Sequence, residues 1–195
     1  MIKELSDMTL EEMWRLFPIV LKNYNPEYPH WYEQEKNKLL DIVKEGSVIR
    51  ISHIGSTAVP GIISKPTIDI LMEININCDT TYITNTITLL KWNLMNVTEN
   101  PFKQTYQMGY TKFGFEEKVY HLHVRYAGDW GELYFKDYLI EHEEVAREYE
   151  VLKKQLKEMY EHNRDAYTQA KEEFVTKYTD MAKIQYGNRY KISGV

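Results

Sequence analysis

The length and composition of the chain limit what it can be. Its 195 residues suffice for one domain, and 43% hydrophobic with 27% charged residues is typical of a globular protein rather than a disordered one. The formal net charge of -5 argues against general nucleic-acid binding, because neutralising phosphates requires clustered Lys and Arg. A single cysteine, Cys78, excludes an intrachain disulfide and a cysteine-based zinc cage.

The N-terminal segment and the apolar runs indicate where the protein resides. Acidic residues interrupt the apolar residues of segment 1–14, which no secretory signal would allow. The longest apolar runs fall far short of the roughly 20 residues that span a bilayer. The sequence therefore predicts a cytoplasmic protein that does not enter a membrane.

The first half of the chain alternates helical and extended patterns. Apolar residues at steps of three and four predict one helix within 9–21 and a second that ends near Gly46. β-branched and apolar residues predict strands at 48–54 and 67–75, separated by a loop rich in Gly, Pro, Ser and Thr. Asp79 or Thr80 can cap a third helix through about Lys91, with Asn93 at its exit.

The second half begins with extended patterns and ends with helical ones. Short strands are predicted at 104–108 and 110–115, turning at Gly109, and a clear alternation at 119–126 predicts a further strand. From Glu132 onward the apolar spacing is helical. We therefore predict one α+β domain over residues 1–195, with a core at about 46–128 that holds a small sheet and a helical C-terminal part at 130–187.

A glycine-serine turn follows the strand at 48–54. Gly55 allows backbone N-H groups and the hydroxyls of Ser56 and Thr57 to approach an anion closely, and phosphate is the obvious anion. The distance to Gly61 is one residue too long for a P-loop, which disfavours a Walker-type ATPase. Lys65 is the best placed lysine to add positive charge, and an ordinary tight turn is the alternative interpretation.

Asp69 lies among the apolar residues of the strand at 67–75, where an unpaired carboxylate would be costly to bury. Strand carboxylates bind the metal ions that hold a triphosphate, so Asp69 is the candidate catalytic residue and a candidate metal ligand. The alternative is a structural ion pair with Lys65 or Arg125.

Two imidazoles share one face of the strand at 119–126. His121 and His123 could join Asp69 in a mixed nitrogen and oxygen site, which suits zinc, manganese or iron better than magnesium. The alternative is that both imidazoles point to solvent or form internal hydrogen bonds.

The turn, the spacer and the strand acid together resemble the nucleotidyltransferase superfamily, in which the glycine-serine turn holds nucleotide phosphates and paired acids hold magnesium. The resemblance narrows to the GrpB family and implies a small mixed β-sheet flanked by helices. Members also occur fused to dephospho-coenzyme-A kinase domains, which implies an accessory role in coenzyme A synthesis. The matching segments are 24–29, 53–61, 65–70, 121–124, 135–139 and the helices around Tyr149, Lys153 and 171–174.

One position departs from the superfamily pattern. Leu71 stands where the second acid is expected, and Glu73, the next acid on that face, would lie roughly 13 Å from Asp69 and is expected to face solvent. The leading hypothesis is a nucleotide or phosphate-ester binding protein that uses a divalent metal (Mg, Mn or Zn), with nucleotidyl transfer to a small molecule as its reaction. The alternatives are a non-catalytic accessory module and a metal-dependent hydrolase or transferase that uses Asp69, His121 and His123.

Overall fold

Seven α-helices and five β-strands lie within residues 3–192, which are the residues that the computed structural model describes. The helices are α1 Leu10–Leu16, α2 Tyr28–Ile42, α3 Thr80–Leu89, α4 Gly131–Glu141, α5 Glu143–Tyr160, α6 Arg164–Gln169 and α7 Glu172–Tyr186. The strands are β1 Val48–Ile54, β2 Thr67–Ile74, β3 Asn93–Glu99, β4 Phe102–Thr111 and β5 Gly114–Tyr126. The predicted α+β class and the helical C-terminal part are confirmed.

The five strands form one mixed sheet in the order β1-β2-β5-β4-β3. The central pair, β2 and β5, is parallel, whereas the other neighbouring pairs are antiparallel. In the parallel register Asp69 lies opposite His121, and Leu71 lies opposite His123. The mixed sheet that the resemblance implies is therefore present.

The two faces of the sheet differ in chemistry. One face carries the buried Ile68, Ile70 and Leu122, which pack in the main core with residues of α2 and α3. The opposite face carries the polar residues that alternate with them, including Asp69 and His121. The helical C-terminal part lies against this second face, and this arrangement positions the candidate site.

The helix ends follow local sequence signals. Thr9 and Glu12 form a capping box at the start of α1, which ends at Leu16 rather than at the predicted residue 21 because Pro18 cannot continue it. The Asp79 carboxylate accepts backbone hydrogen bonds at the start of α3, as predicted. Among the residues that the structure describes, none of the helices combines the length and apolar character that a bilayer crossing requires.

The prediction for residues 93–115 was wrong in two respects. Asn93 does not end a helix but begins β3, an edge strand whose residues are all exposed, so that it carries no alternation of buried and exposed positions. Gly109 does not turn the chain: it lies within β4 at an irregularity in the register. A side chain there would overlap the Lys118 carbonyl oxygen, so the glycine permits close approach of two strands.

The expectation that Glu73 faces solvent was also wrong. Its side chain is fully buried, and the Arg50 guanidinium contacts both carboxylate oxygens, with Nη2 at 2.7 Å from Oε1. The backbone N-H of Gly128 donates to the same Oε1 at 3.0 Å. Arg50 also donates to the carbonyl oxygen of Tyr190, so this ion pair joins two strands to the C-terminal segment.

Candidate functional site

A cavity of about 710 Å³ lies between the polar face of the sheet and the C-terminal helices. It brings together six of the seven site residues predicted from the sequence, because only Thr57 is absent from its wall. The sheet and its loops contribute Gly55, Ser56, Lys65, Asp69, His121 and His123, and the helices contribute, among others, Glu132, Phe135, Tyr149, Lys153, Arg164, Tyr167 and Lys171.

Gly55 brings the backbone of the turn against the Asp69 carboxylate. Its φ of 70° and ψ of -174° belong to a region that is essentially restricted to glycine. A methyl group at Gly55 would overlap Oδ2 of Asp69 and lie 3.1 Å from its Cβ. The glycine is therefore required by both the backbone conformation and the space available.

Thr57 belongs to the frame of the turn rather than to the cavity wall. Its buried hydroxyl donates to the Thr67 carbonyl oxygen at 3.0 Å and lies 3.0 Å from Nε2 of His53. His53 in turn stacks on Tyr32, and burial lowers the pKa of His53 to about 4, so the imidazole is neutral. Because its hydroxyl already contacts Thr67 and His53, Thr57 is not expected to contact a ligand in the cavity.

Asp69, His121 and His123 form a compact group of possible metal ligands. The parallel pairing of β2 with β5 places them side by side, and one ligand atom from each residue lies within 4.8 Å of the others. One carboxylate and two imidazoles form a donor set that suits zinc, manganese or iron. The residues present therefore fit a single transition-metal ion.

The ionisation of this group also suits a metal. Burial opposes ionisation of Asp69, but the hydrogen bond from His121 and the nearby charge of Lys65 hold its pKa below the ordinary value. Burial lowers the pKa of His123 to about 4. At neutral pH the group thus presents a carboxylate and a neutral imidazole, the forms that bind metal ions.

His121 connects the carboxylate to the C-terminal helices through hydrogen bonds. Its Nδ1 lies 3.1 Å from Oδ1 of Asp69, and its Nε2 lies 2.8 Å from the Tyr110 hydroxyl. Arg164 donates to that hydroxyl at 3.0 Å and to the carbonyl oxygen of Phe17 at 3.3 Å. All hydrogens are accounted for if Tyr110 donates to Nε2 and His121 donates to Asp69. Metal binding by His121 would replace one of these two hydrogen bonds.

Four cationic side chains line the cavity: Lys65, Lys153, Arg164 and Lys171. Within residues 3–192, no Asp or Glu oxygen lies within the 4.0 Å ion-pair distance of their nitrogens. Arg125, considered from the sequence as an ion-pair partner of Asp69, instead contacts Glu132 at 2.7 Å. The charge of the four cavity cations is therefore left uncompensated by carboxylates in direct contact.

The lysines of this cluster have low pKa values. Burial lowers the pKa of Lys65 to about 7, and the neighbouring Lys171 and Arg164 add to this effect. Burial likewise lowers the pKa of Lys153 to about 7 and that of Lys171 to about 8. Both burial and mutual repulsion thus act against the charged forms, and a bound anion would favour them.

Aromatic rings and neutral oxygens hold the lysines in place. Lys153 is almost fully buried, donates to Ser56 Oγ at 3.3 Å and to the carbonyl oxygen of Ile63, and lies 4.6 Å from the centre of the Tyr149 ring. The Lys171 ammonium lies 4.5 Å from the centre of the Tyr167 ring. The Tyr167 hydroxyl is buried and has no hydrogen-bond partner within the described chain.

Sequence reasoning missed three residues of this site. Arg164 and Tyr167 come from the short helix α6, where the sequence showed only capping residues and an apolar stripe. Tyr110 was placed on a strand, but nothing indicated its contact with His121. No local pattern marks these residues, because their roles depend on the packing of α6 against the sheet.

Substitution of Gly55 tests the close approach of the turn to Asp69. Gly55→Ala is expected to destabilise the protein by about 3 kcal/mol, because backbone strain and overlap with Asp69 add together. Gly61→Ala is the control: Gly61 also has a positive φ, but a side chain there meets nothing within 4 Å, so the expected cost is about 1 kcal/mol. Urea denaturation measures both values, and equal costs would contradict the close approach of Gly55 to Asp69.

Comparison with known proteins places the chain in a family. The profile of the family described as GrpB protein matches residues 18–181. The chain is 32% identical over 161 residues to the glutamate-rich protein GrpB of Alkalihalophilus pseudofirmus, covering 80% of this chain and 91% of that protein. It is 30% identical over 179 residues to the UPF0157 protein YqkA of Bacillus subtilis, covering 88% of this chain but 49% of YqkA, so it spans about half of that relative.

The crystal structure of the conserved protein GrpB from Enterococcus faecalis superposes with a TM-score of 0.72 at 25% identity, covering 86% of this chain and 99% of that one. The chain therefore belongs to the GrpB family.

Proposed function

We propose that the cavity binds a phosphate ester, with nucleotides as the leading class. The observation that carries the proposal is the cluster of four cations without a carboxylate partner, which share one cavity with Ser56. Buried positive charges are costly unless an anion compensates them. A phosphate group offers two negative charges and several acceptor oxygens, which match the convergent Lys and Arg donors.

Arg164 presents its guanidinium to the cavity without a carboxylate of the described residues in direct contact. Its guanidinium is held by the neutral oxygens of Phe17 and Tyr110, so its charge stays available to a ligand. The Ser56 hydroxyl oxygen accepts a hydrogen bond from Lys153, so the hydroxyl can donate its own hydrogen to a phosphate oxygen. The unpartnered Tyr167 hydroxyl offers a further donor near Lys171.

Binding is better supported than nucleotidyl transfer by paired magnesium ions. Leu71 is fully buried where the resemblance calls for the second acid, and Glu73 is occupied by Arg50. Strand β2 therefore supplies one carboxylate to the cavity, that of Asp69. A non-catalytic accessory role, including one in coenzyme A synthesis, shares this binding step and would show binding without turnover.

Removing cations from the cavity tests the proposal directly. Lys65→Met and Lys171→Met are each expected to weaken binding of ATP or inorganic phosphate by about tenfold or more. Each substitution removes a desolvated positive charge that would contact the bound anion. Isothermal titration calorimetry measures the dissociation constants. Lys154→Met is the matched control, since Lys154 is exposed on α5 next to Lys153 and does not line the cavity. No binding by the wild-type protein, or equal binding by all variants, would refute the proposal.

The pH dependence of phosphate binding follows from the low lysine pKa values. In the free protein the amines of Lys65 and Lys153 lose their charge near pH 7, and that of Lys171 near pH 8. A bound anion raises these pKa values, so binding takes up protons, and affinity for phosphate is expected to fall as pH rises between about 7 and 9. Calorimetry in buffers of different ionisation enthalpy measures the proton uptake. Affinity that is constant or rises over this range would contradict the assigned ionisation.

The ligand group formed by Asp69, His121 and His123 favours a second candidate function, that of a metal-dependent hydrolase or transferase. A divalent ion held there would polarise a phosphoryl oxygen of the bound ester. The carboxylate and the two imidazoles would hold that ion beside the cationic wall.

Metal content separates this candidate from metal-free binding. After dialysis against zinc or manganese, elemental analysis is expected to find about one ion per chain, and His123→Ala is expected to lower that content severalfold. The control is His142→Ala, because His142 is an imidazole outside the cavity that contacts Gln185. Equal metal content in both variants would remove the metal-dependent candidate and leave the phosphate proposal intact.

A further inference from the structure

A second compartment of about 260 Å³ adjoins the cation-lined cavity. The two share Lys65 and Arg164, whose side chains form part of both walls. The second compartment lies where β2 begins, beneath the segment that follows α1. Its apolar lining residues are Pro18, Val20, Pro66, Phe115 and Val119.

The wall chemistry of this compartment differs from that of the main cavity. Its lining is mixed: the five apolar residues stand beside Thr67 and the two shared cations, and its remaining charged residues, Lys22, Glu116 and Glu117, carry both signs. The five apolar residues offer a surface against which an apolar group of the occupant can be buried. Its volume lies just below the usual range of about 300–1,000 Å³ for ligand pockets, so it has room for one ring system rather than a long chain.

Aromatic contacts fix the wall that faces Arg164. The ring of Phe115 packs against Phe17 at 5.1 Å and against Tyr110 at 5.3 Å between ring centres. The Arg164 guanidinium lies 5.8 Å from the centre of the Phe115 ring and 5.5 Å from that of Tyr110. Arg164 thus stands at the boundary between the two compartments, with aromatic groups on the apolar side.

We propose that the ligand is a phosphate ester of an aromatic group, which spans the two compartments. The phosphate lies in the main cavity against Lys65 and Arg164, and the ring lies in the second compartment against Phe115 and Val20. This inference rests on the proposed phosphate site and adds the chemical class of the organic group.

Calorimetry with inorganic phosphate, methyl phosphate and phenyl phosphate tests the inference. Phenyl phosphate is expected to bind at least about tenfold more tightly than methyl phosphate, because the ring buries apolar surface that the methyl group lacks. Val20→Trp, which fills the compartment, is expected to abolish this preference for phenyl over methyl phosphate. Phe115→Ala is expected to reduce the preference, and Phe113→Ala, an exposed phenylalanine of the same hairpin, is the control.

The outcomes separate this inference from the proposal on which it rests. If inorganic and methyl phosphate bind but phenyl phosphate gains nothing, the aromatic compartment is refuted and the phosphate site stands. A phenyl preference that persists in Val20→Trp also refutes the compartment. If none of the three ligands binds to the wild-type protein, the phosphate site and this inference both fail. Should Phe115→Ala not fold, Val20→Trp carries the test alone.

Discussion

The parallel pairing of β2 with β5 is the constraint on which the rest of the site depends. Because side chains alternate along both strands, this register collects Asp69, His121 and His123 on one face and the large aliphatic residues on the other. A slip of one residue would turn the carboxylate and imidazoles into the main core. The register is therefore held by the hydrophobic effect on one face, and the polar group on the other face follows from it.

The C-terminal helices turn this polar face into a cavity whose wall carries charges of both signs. Asp69 and Lys65 come from the sheet side, and the helices supply the cations Lys153, Arg164 and Lys171 together with the acids Glu132, Asp165 and Asp180. Tyr110 links the two sides, since its hydroxyl contacts both His121 and Arg164. The group of Asp69, His121 and His123 could hold a metal ion while the four cations hold a phosphate, which is why both proposals can apply to one cavity.

The sequence could predict the parts of this structure that local chemistry determines. Polar and apolar alternation revealed most of β5, and capping chemistry located the start of α3. It could not predict β3, because an edge strand exposed on both faces carries no alternation. Burial of Glu73 escaped prediction because Arg50, its partner, lies on another strand. The role of Arg164 could not be predicted either, because its contacts with Phe17 and Tyr110 join distant parts of the chain.

Leu71 shows why the site differs from the acid pair that the nucleotidyltransferase resemblance implies. Its side chain is fully buried with Ile54 and Leu133 of α4, so a carboxylate at this position would lose that packing. His123, opposite Leu71 on β5, takes part in the ligand group instead. Because its imidazole is neutral, the group carries one negative charge fewer than paired acids would. One carboxylate with two imidazoles thus suits zinc, manganese or iron better than magnesium, which prefers oxygen ligands.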